Sequence, residues 1–155
     1  MSNAPRASLL GALLLCLTLP ACTTSPDDPG DDLAANRRHW QSQRIADYQV
    51  QFRMSCFCIV DVTQPVVLQV RNGAIVSVTR VSGGGAVPPS QWEGRYYTVD
   101  QMFALIADAK AKGADQVSVS YDPQLRYPTS VAIDQSVRIA DEERYFEMSG
   151  LTPLR

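Results

Sequence analysis

Two cysteines, Cys56 and Cys58, are the residues of this sequence best placed to do chemistry. They lie two positions apart in a stretch of alternating apolar and polar residues, so on an extended strand both thiols lie on the same face. In an oxidising compartment the simplest interpretation is a disulfide. A fully extended strand holds the two Cα atoms near the upper limit for that bond, so a bulge or kink is implied. Reduced core thiols and a redox-active pair are the alternatives.

The same strand face could also bind a soft metal. Thiolate and thioether sulfur favour Cu(I), which makes Met54, Cys56 and Cys58 weak candidate ligands. Two more distant methionines, Met102 and Met148, could approach from other elements. Methionine on a core strand usually serves packing instead. A closed zinc site is disfavoured because two cysteines and the single histidine of the chain leave its tetrahedral coordination incomplete. We therefore expect no cofactor.

Five acidic residues follow or separate the last predicted strands: Asp122, Asp134, Asp141, Glu142 and Glu143. If those strands bring the carboxylates together, they could form a cation site or a pair for acid–base catalysis. Turn formation at Asp122-Pro123 and solvated strand ends are the simpler roles. No pair of nucleophile and base can be assembled from the sequence, so we expect no enzymatic activity.

Aromatic residues and net charge say little about a partner. Five aromatic residues could line a groove for sugar or peptide, although core and loop packing explains aromatic residues more often; they are Trp40, Trp92, Tyr96, Tyr97 and Tyr127. The formal net charge of −2 gives no overall attraction to nucleic acid, so we expect none as a partner.

The N-terminal segment predicts export. Arg6 precedes an apolar run from Leu9 to Leu19 that is too short to span a bilayer and is typical of a secretory signal peptide. The sequence Leu19-Pro20-Ala21-Cys22 resembles the lipobox of bacterial lipoproteins. That resemblance implies a diacylglyceryl group on the Cys22 thiol, cleavage before Cys22, and acylation of the new amine by a fatty acid such as palmitate.

The predicted lipid anchor sets the domain organisation and the location. Residues 1–21 form the signal peptide, residues 22–32 the lipidated cysteine and a flexible tether without apolar side chains, and residues 33–155 a single domain. Two or three acyl chains hold a protein stably at a membrane. Thr23 replaces the aspartate that would mark inner-membrane retention. In an organism with two membranes, we therefore expect the outer membrane, with the domain facing the periplasm.

The elements that position these residues alternate helices with groups of three strands. We predict a helix from Asp32 to about Ile45, a strand from Tyr48 to Val60, and a hairpin around Asn72-Gly73. A second helix begins at the capping box of Thr98 and Gln101 and ends near Gly113. The last three strands are predicted at 117–121, 130–134 and 145–151. The order α-βββ-α-βββ favours an α+β fold: a mostly antiparallel sheet of about six strands with both helices on one face.

Short motifs along the domain resemble one bacterial family, the domain of unknown function 6174, which occurs in small exported proteins and lipoproteins. The motifs are Trp40 ahead of Tyr48, Cys56-Phe57-Cys58, Asn72-Gly73, Thr98-Val99-Asp100 with Phe103, Tyr121-Asp122, Tyr127-Pro128-Thr129, Ile133-Asp134 and Asp141-Glu142-Glu143. The resemblance covers about Asn36 to Leu151 and implies fold and export, but no activity. The family usually carries glycine before Tyr-Pro, where this chain has Arg126.

Together these features predict a lipid-anchored envelope protein with a binding or structural role. Its partner would be an envelope protein or a small ligand, in addition to the membrane itself. The alternative function is thiol redox chemistry or Cu(I) handling through Cys56 and Cys58.

Overall fold

The computed structural model describes residues 32–57 and 63–155, which form two α-helices and six strands. In chain order the elements are α1 (Leu33–Ser42), β1 (Tyr48–Ser55), β2 (Val66–Arg71), β3 (Ala74–Arg80), a 3₁₀ turn (Pro89–Gln91), α2 (Val99–Ala111), β4 (Gln116–Tyr121), β5 (Pro128–Asp134) and β6 (Arg144–Pro153). The order α-βββ-α-βββ and the α+β class are confirmed. No helix in these two ranges is long and apolar enough to cross a membrane.

The six strands form one antiparallel sheet in the order β3-β2-β1-β6-β5-β4. Each group of three strands is a meander, and the two meanders join where β1 pairs with β6. Arg53 lies opposite Glu147 and Gln51 opposite Ser149 in that pairing. The first and last strands of the domain are therefore its central strands, which brings residues almost a hundred positions apart into contact.

Strand β1 follows the predicted alternation. Tyr48, Val50, Phe52 and Met54 are buried, whereas the glutamines and the arginine between them are exposed. Period-two alternation on a strand gives one face to the core and the other to solvent. Strand β1 is shorter than predicted and ends at Ser55. The remainder of the predicted strand, including Val60, falls partly outside the described residues.

The hairpin between β2 and β3 forms as the Asn72-Gly73 dipeptide predicts. Asn72 and Gly73 have φ values of 49° and 73°, the positive angles that a type I′ turn requires. Asp47 stabilises this turn: its Oδ1 accepts the Asn72 N–H at 2.7 Å, and its Oδ2 lies 3.2 Å from Arg71 Nη1. These two contacts, of which the backbone N–H of Asn72 has the larger effect, hold the pKa of Asp47 below its ordinary value.

Helix α2 begins with the predicted capping box. Thr98 Oγ1 accepts the Gln101 N–H at 3.2 Å, and Gln101 Oε1 accepts the Thr98 N–H at 2.8 Å. A third bond ties this helix to the sheet, because the Tyr48 hydroxyl oxygen on β1 accepts the Val99 N–H at 2.9 Å. Burial raises the pKa of Tyr48 to about 12. The buried face of α2 comprises Val99, Met102, Phe103, Ile106 and Ala109.

Helix α1 ends earlier than predicted, at Ser42 instead of about Ile45. The physical reason is Arg44, whose φ of 53° lies in the left-handed region and cannot continue a right-handed helix. Asp32 caps the helix as expected, since its Oδ1 accepts the Ala35 N–H at 3.0 Å. The buried Trp40 packs edge-on against Tyr48, with ring centroids 5.7 Å apart, which anchors α1 to the same sheet face as α2.

Candidate functional site

The face of the sheet opposite the helices is polar and exposed. Its exposed side chains are mainly amides and hydroxyls and include Gln49, Gln51, Arg53, Gln116, Ser118, Ser120, Ser130, Tyr145, Glu147, Ser149 and Thr152. These residues alternate with the buried core residues along the same strands, so the strand period places them on the opposite face. We refer to this surface as the open face.

A groove lies on the open face where β1 and β6 meet the segment that leads into β2. Its volume is about 430 Å³, and it is lined by Gln51, Phe52, Arg53, Thr63, Gln64, Pro65, Glu147 and Ser149. The pairing of β1 with β6 builds one wall, because it sets Gln51 beside Ser149 and Arg53 beside Glu147. The groove therefore exists only in the folded sheet.

The side chains of the groove offer hydrogen bonds without a net charge. Arg53 Nη1 lies 3.5 Å from Glu147 Oε2, and the two side chains are 51% and 61% exposed. Ser149 Oγ donates a long hydrogen bond of 3.4 Å to Gln51 Oε1. Exposed ion pairs of this kind contribute little to stability. Their donors and acceptors can therefore turn toward a ligand at small cost.

Cys56, one of the two cysteines with a chemical signal in the sequence, lies just after the end of β1. Cys56 follows β1, is half-buried and packs against the core. It is disulfide-bonded, and its partner sulfur lies outside the described residues, as does Cys58. The pairing of Cys56 with Cys58 therefore stays a prediction. The neighbouring Phe57 side chain is 81% exposed, so the chain leaves the regular sheet at this point.

The methionines that could assist a metal serve the core. Met54, Met102 and Met148 all belong to the buried hydrophobic cluster. The single histidine, His39, lies on α1 with its Nε2 3.0 Å from the carbonyl oxygen of Gln124. Among the residues that the structure describes, no group of three or more His, Cys, Asp or Glu side chains could hold a metal ion. The Cu(I) site stays a prediction that these contacts do not support.

The acidic residues have separate roles in the structure. Asp122 forms a turn: its Oδ1 accepts the N–H groups of Gln124 and Leu125 at 2.9 and 2.7 Å. Asp134 ends β5, while Asp141, Glu142 and Glu143 lie in the loop before β6. One oxygen of Asp134 and one of Glu142 are buried and make no hydrogen bond to a described residue. No described contact joins the five carboxylates into a site, so the cation-site and acid–base hypotheses gain no support.

The aromatic residues that could have lined a binding groove belong to the core and its loops. Trp40, Tyr96 and Tyr127 are buried. Trp92 Nε1 donates to the Val87 carbonyl at 2.9 Å, which fixes the loop that follows β3. Tyr96 and Tyr97 contribute to a second cavity of about 400 Å³ beside α2, on the helix side of the domain. None of the five lines the open-face groove.

Sequence reasoning missed the groove because its residues come from three distant segments. The polar alternation of β1 was a usable signal, since it assigns Gln51 and Arg53 to a solvent face. Nothing local indicates that Glu147 and Ser149 lie beside them, because strand pairing over such a distance is set by the tertiary fold.

A family model described as "Family of unknown function (DUF6174)" matches residues 32–153. A search of curated proteins and a search of solved structures each found no match. The family match covers the two helices and the six strands described above, including all the strands that form the open face. The chain therefore belongs to the DUF6174 family of unknown function.

Proposed function

We propose that this chain is an exported lipoprotein whose folded domain is a non-enzymatic binding module, with the open face as its ligand surface. The observation that carries the proposal is the groove of about 430 Å³ on a sheet face that the helices leave exposed. The core lies on the other face, so a ligand can bind the open face without displacing core residues.

The groove chemistry favours a neutral ligand that is rich in hydroxyl or amide groups. Gln51, Gln64 and Ser149 supply uncharged donors and acceptors. The Arg53–Glu147 pair supplies one donor and one acceptor group whose charges cancel. A charged ligand would have to displace Arg53 or Glu147 from their ion pair, whereas a neutral ligand could form hydrogen bonds to both side chains.

The anchor at Cys22 places the module at a membrane surface. The sequence Leu19-Pro20-Ala21-Cys22 supports it, and these residues lie outside the described ranges. The segment from Thr23 to Asp32 can extend at most about 35 Å between anchor and domain. The domain would therefore sample envelope components close to the membrane, on the periplasmic side of an outer membrane where the organism has one.

The binding proposal is tested with N,N′,N″-triacetylchitotriose, a neutral oligosaccharide that carries both hydroxyl and acetamide groups. Calorimetry on the mature chain in detergent should give a measurable dissociation constant. Gln51→Ala should weaken it about 3- to 10-fold, the effect of one or two neutral hydrogen bonds. Gln49→Ala is the matched control, because Gln49 is an exposed glutamine on the same strand and face but outside the groove. Equal effects of the two changes, or no binding at all, would count against the groove.

The anchor is tested separately by membrane fractionation. The membrane fraction should hold a mature chain whose N-terminal peptide begins at Cys22 and carries the acyl mass; Cys22→Ser should abolish that mass and leave the signal peptide uncleaved. Cys16→Ser is the control, because that cysteine lies inside the predicted signal peptide and its loss should leave the anchor intact. A Cys22→Ser chain that is cleaved like the unmodified chain would contradict the lipoprotein assignment.

We also propose that Cys56 and Cys58 form a structural disulfide with each other. In support, Cys56 is half-buried against the core and disulfide-bonded, and Cys22 would be acylated. Peptide mapping without reductant should recover Cys56 and Cys58 in one peptide that is 2 Da lighter than its reduced form. Recovery of two free thiols in the unreduced chain would instead make a Cu(I) titration the next experiment.

A further inference from the structure

Strand β4 is an edge strand whose outer side has no partner among the described residues. It ends the strand order at one side of the sheet, and β5 is the single described strand that pairs with it. At its start, the Asp115 N–H points inward to the Gln135 carbonyl at 3.4 Å. Because the N–H and C=O of one residue point to the same side and successive residues alternate, Gln116, Ser118 and Ser120 present theirs outward.

The opposite edge of the sheet is protected. The loop after β3 returns alongside it, with a bridge between Thr79 and Ala86. The Val87 N–H also donates to the Val78 carbonyl at 2.9 Å. Proteins shield edges with such loops, or with charged residues, proline and bulges. Strand β4 reads Gln-Val-Ser-Val-Ser-Tyr and contains neither a charged residue nor proline.

The core-side residues of β4 are incompletely covered. Val117 and Val119 are half-buried, whereas their partners Ile133 and Val131 on β5 are 1% and 2% exposed. Val137, which is 70% exposed, is held beside the start of β4 because Asp115 Oδ2 accepts its N–H at 3.0 Å. A strand added at this edge would cover apolar surface as well as backbone groups.

We propose that β4 pairs with β4 of a second copy of this chain, antiparallel and with a two-fold axis at Ser118. The sequence around Ser118 is nearly symmetric, with valine on each side and a polar residue beyond each valine. This register sets Ser118 opposite Ser118 and Gln116 opposite Ser120, so all the outward backbone groups meet their partners. Val117 then faces Val119 on the core side. An isologous contact of this kind is closed and joins two copies only.

The two-fold geometry fits a chain anchored to a membrane. An axis perpendicular to the sheet keeps the helices of both copies on one side and both open faces on the other. Both α1 helices, which follow the N-terminal segments in sequence, then lie on the same side of the paired sheets, so both anchors can reach one membrane. Five paired residues per copy cover less surface than the roughly 1,200–2,000 Å² of stable interfaces, so we expect a weak dimer that a shared membrane favours.

The pairing is tested with charges at Ser118, whose exposed side chain lies on the open face. Two differently tagged copies of the full chain are co-expressed, and the share recovered together from solubilised membranes is measured. Ser118→Lys in both copies should lower co-recovery roughly fivefold, because like charges opposite each other oppose pairing. Ser118→Glu in both copies should do the same. Combining Ser118→Lys with Ser118→Glu should restore it. Co-recovery that is equally low in the mixed pair would overturn the proposal.

Cross-linking tests the register directly. Residues opposite each other in a hydrogen-bonded pair have Cα atoms about 5.5 Å apart, within the range for a disulfide. Ser118→Cys should give at least roughly fivefold more disulfide-linked dimer than the unmodified chain. Ser77→Cys, a serine on the protected edge strand β3, should give no more than the unmodified chain. Equal cross-linking by Ser118→Cys and Ser77→Cys would refute β4 pairing and leave the chain a monomer or a partner of another protein.

Discussion

The two faces of the sheet are formed by the same strands but have different roles. On β1, Phe52 is fully buried and packs near Phe146 of β6, with ring centroids 6.3 Å apart. The next residue, Arg53, is half-exposed and pairs with Glu147, the next residue on β6. Burial of apolar surface supplies most of the folding free energy. The covered face therefore fixes the structure, and the open face is available for a ligand.

The largest difference in the free energy of unfolding is expected between substitutions at neighbouring residues of β1, one on each face. Phe52→Ala should destabilise the domain by about 3–5 kcal/mol, because it leaves a cavity in the core. Gln51→Ala, one position away on the open face, should change stability by no more than about 0.5 kcal/mol. Denaturant unfolding of both variants measures the difference. Similar losses from the two changes would show that the open face also carries stability.

The next largest loss of stability is expected when the Tyr48 hydroxyl on the covered face is removed. Tyr48→Phe removes the acceptor of the buried Val99 N–H and should cost about 1–3 kcal/mol. The folded-state pKa of Tyr48, about 12, lies above its ordinary 10.0. The stability that this shift contributes is therefore complete below pH 10 and is lost as the pH rises toward 12. Unfolding measured from pH 8 to 12 should show this loss in the unmodified chain and a smaller loss in Tyr48→Phe.

A smaller change in stability, this time a gain, is expected from the backbone conformation of the turn before β5. Arg126 has a φ of 61°, in the left-handed region where a side chain is unfavourable. This is the position where the sequence resemblance leads one to expect glycine. Arg126→Gly should stabilise the domain by about 0.5–1 kcal/mol. The change relieves backbone strain in the folded state, and the greater freedom of glycine in the unfolded chain offsets part of that gain. A loss of stability in thermal unfolding would show that the Arg126 side chain makes a compensating contact.

The smallest effect on stability is expected at the ion pair of the open face. Arg53→Gln should change the free energy of unfolding by less than about 1 kcal/mol, since both partners are half-exposed. The same change should weaken binding of the neutral oligosaccharide, because it removes donors from the groove. Unfolding and calorimetry on one preparation separate the two effects. A large stability loss with unchanged binding would reverse the roles assigned to the two faces.

Local sequence signals predicted the elements well, because each has a local cause. The Asn72-Gly73 turn, the Thr98 and Gln101 capping box and the alternation of β1 all depend on residues within a few positions. Helix α1 ends earlier than the sequence predicts, since the left-handed Arg44 carries no local signal comparable to a glycine.

The candidate site depends on non-local pairing and was therefore not predictable in the same way. The neighbours Arg53 and Glu147 are brought together only because β1 pairs with β6. The sequence indicated that both residues are polar, but not that they share a groove. Cys56 and Cys58 have the strongest chemical signal and are predicted on one strand, but β1 ends at Ser55, before Cys56, and Cys58 lies outside the described residues.

The most direct test of the open face as the ligand surface is a map of backbone amide shifts. Triacetylchitotriose is titrated into the isotopically labelled mature chain, and the shifts of all assigned amides are followed. We predict the largest shifts at Gln51, Arg53 and Ser149, with little change along α2. Shifts that centre on the cavity beside α2, at Tyr97 and Leu105, or that spread evenly over the domain, would contradict the account.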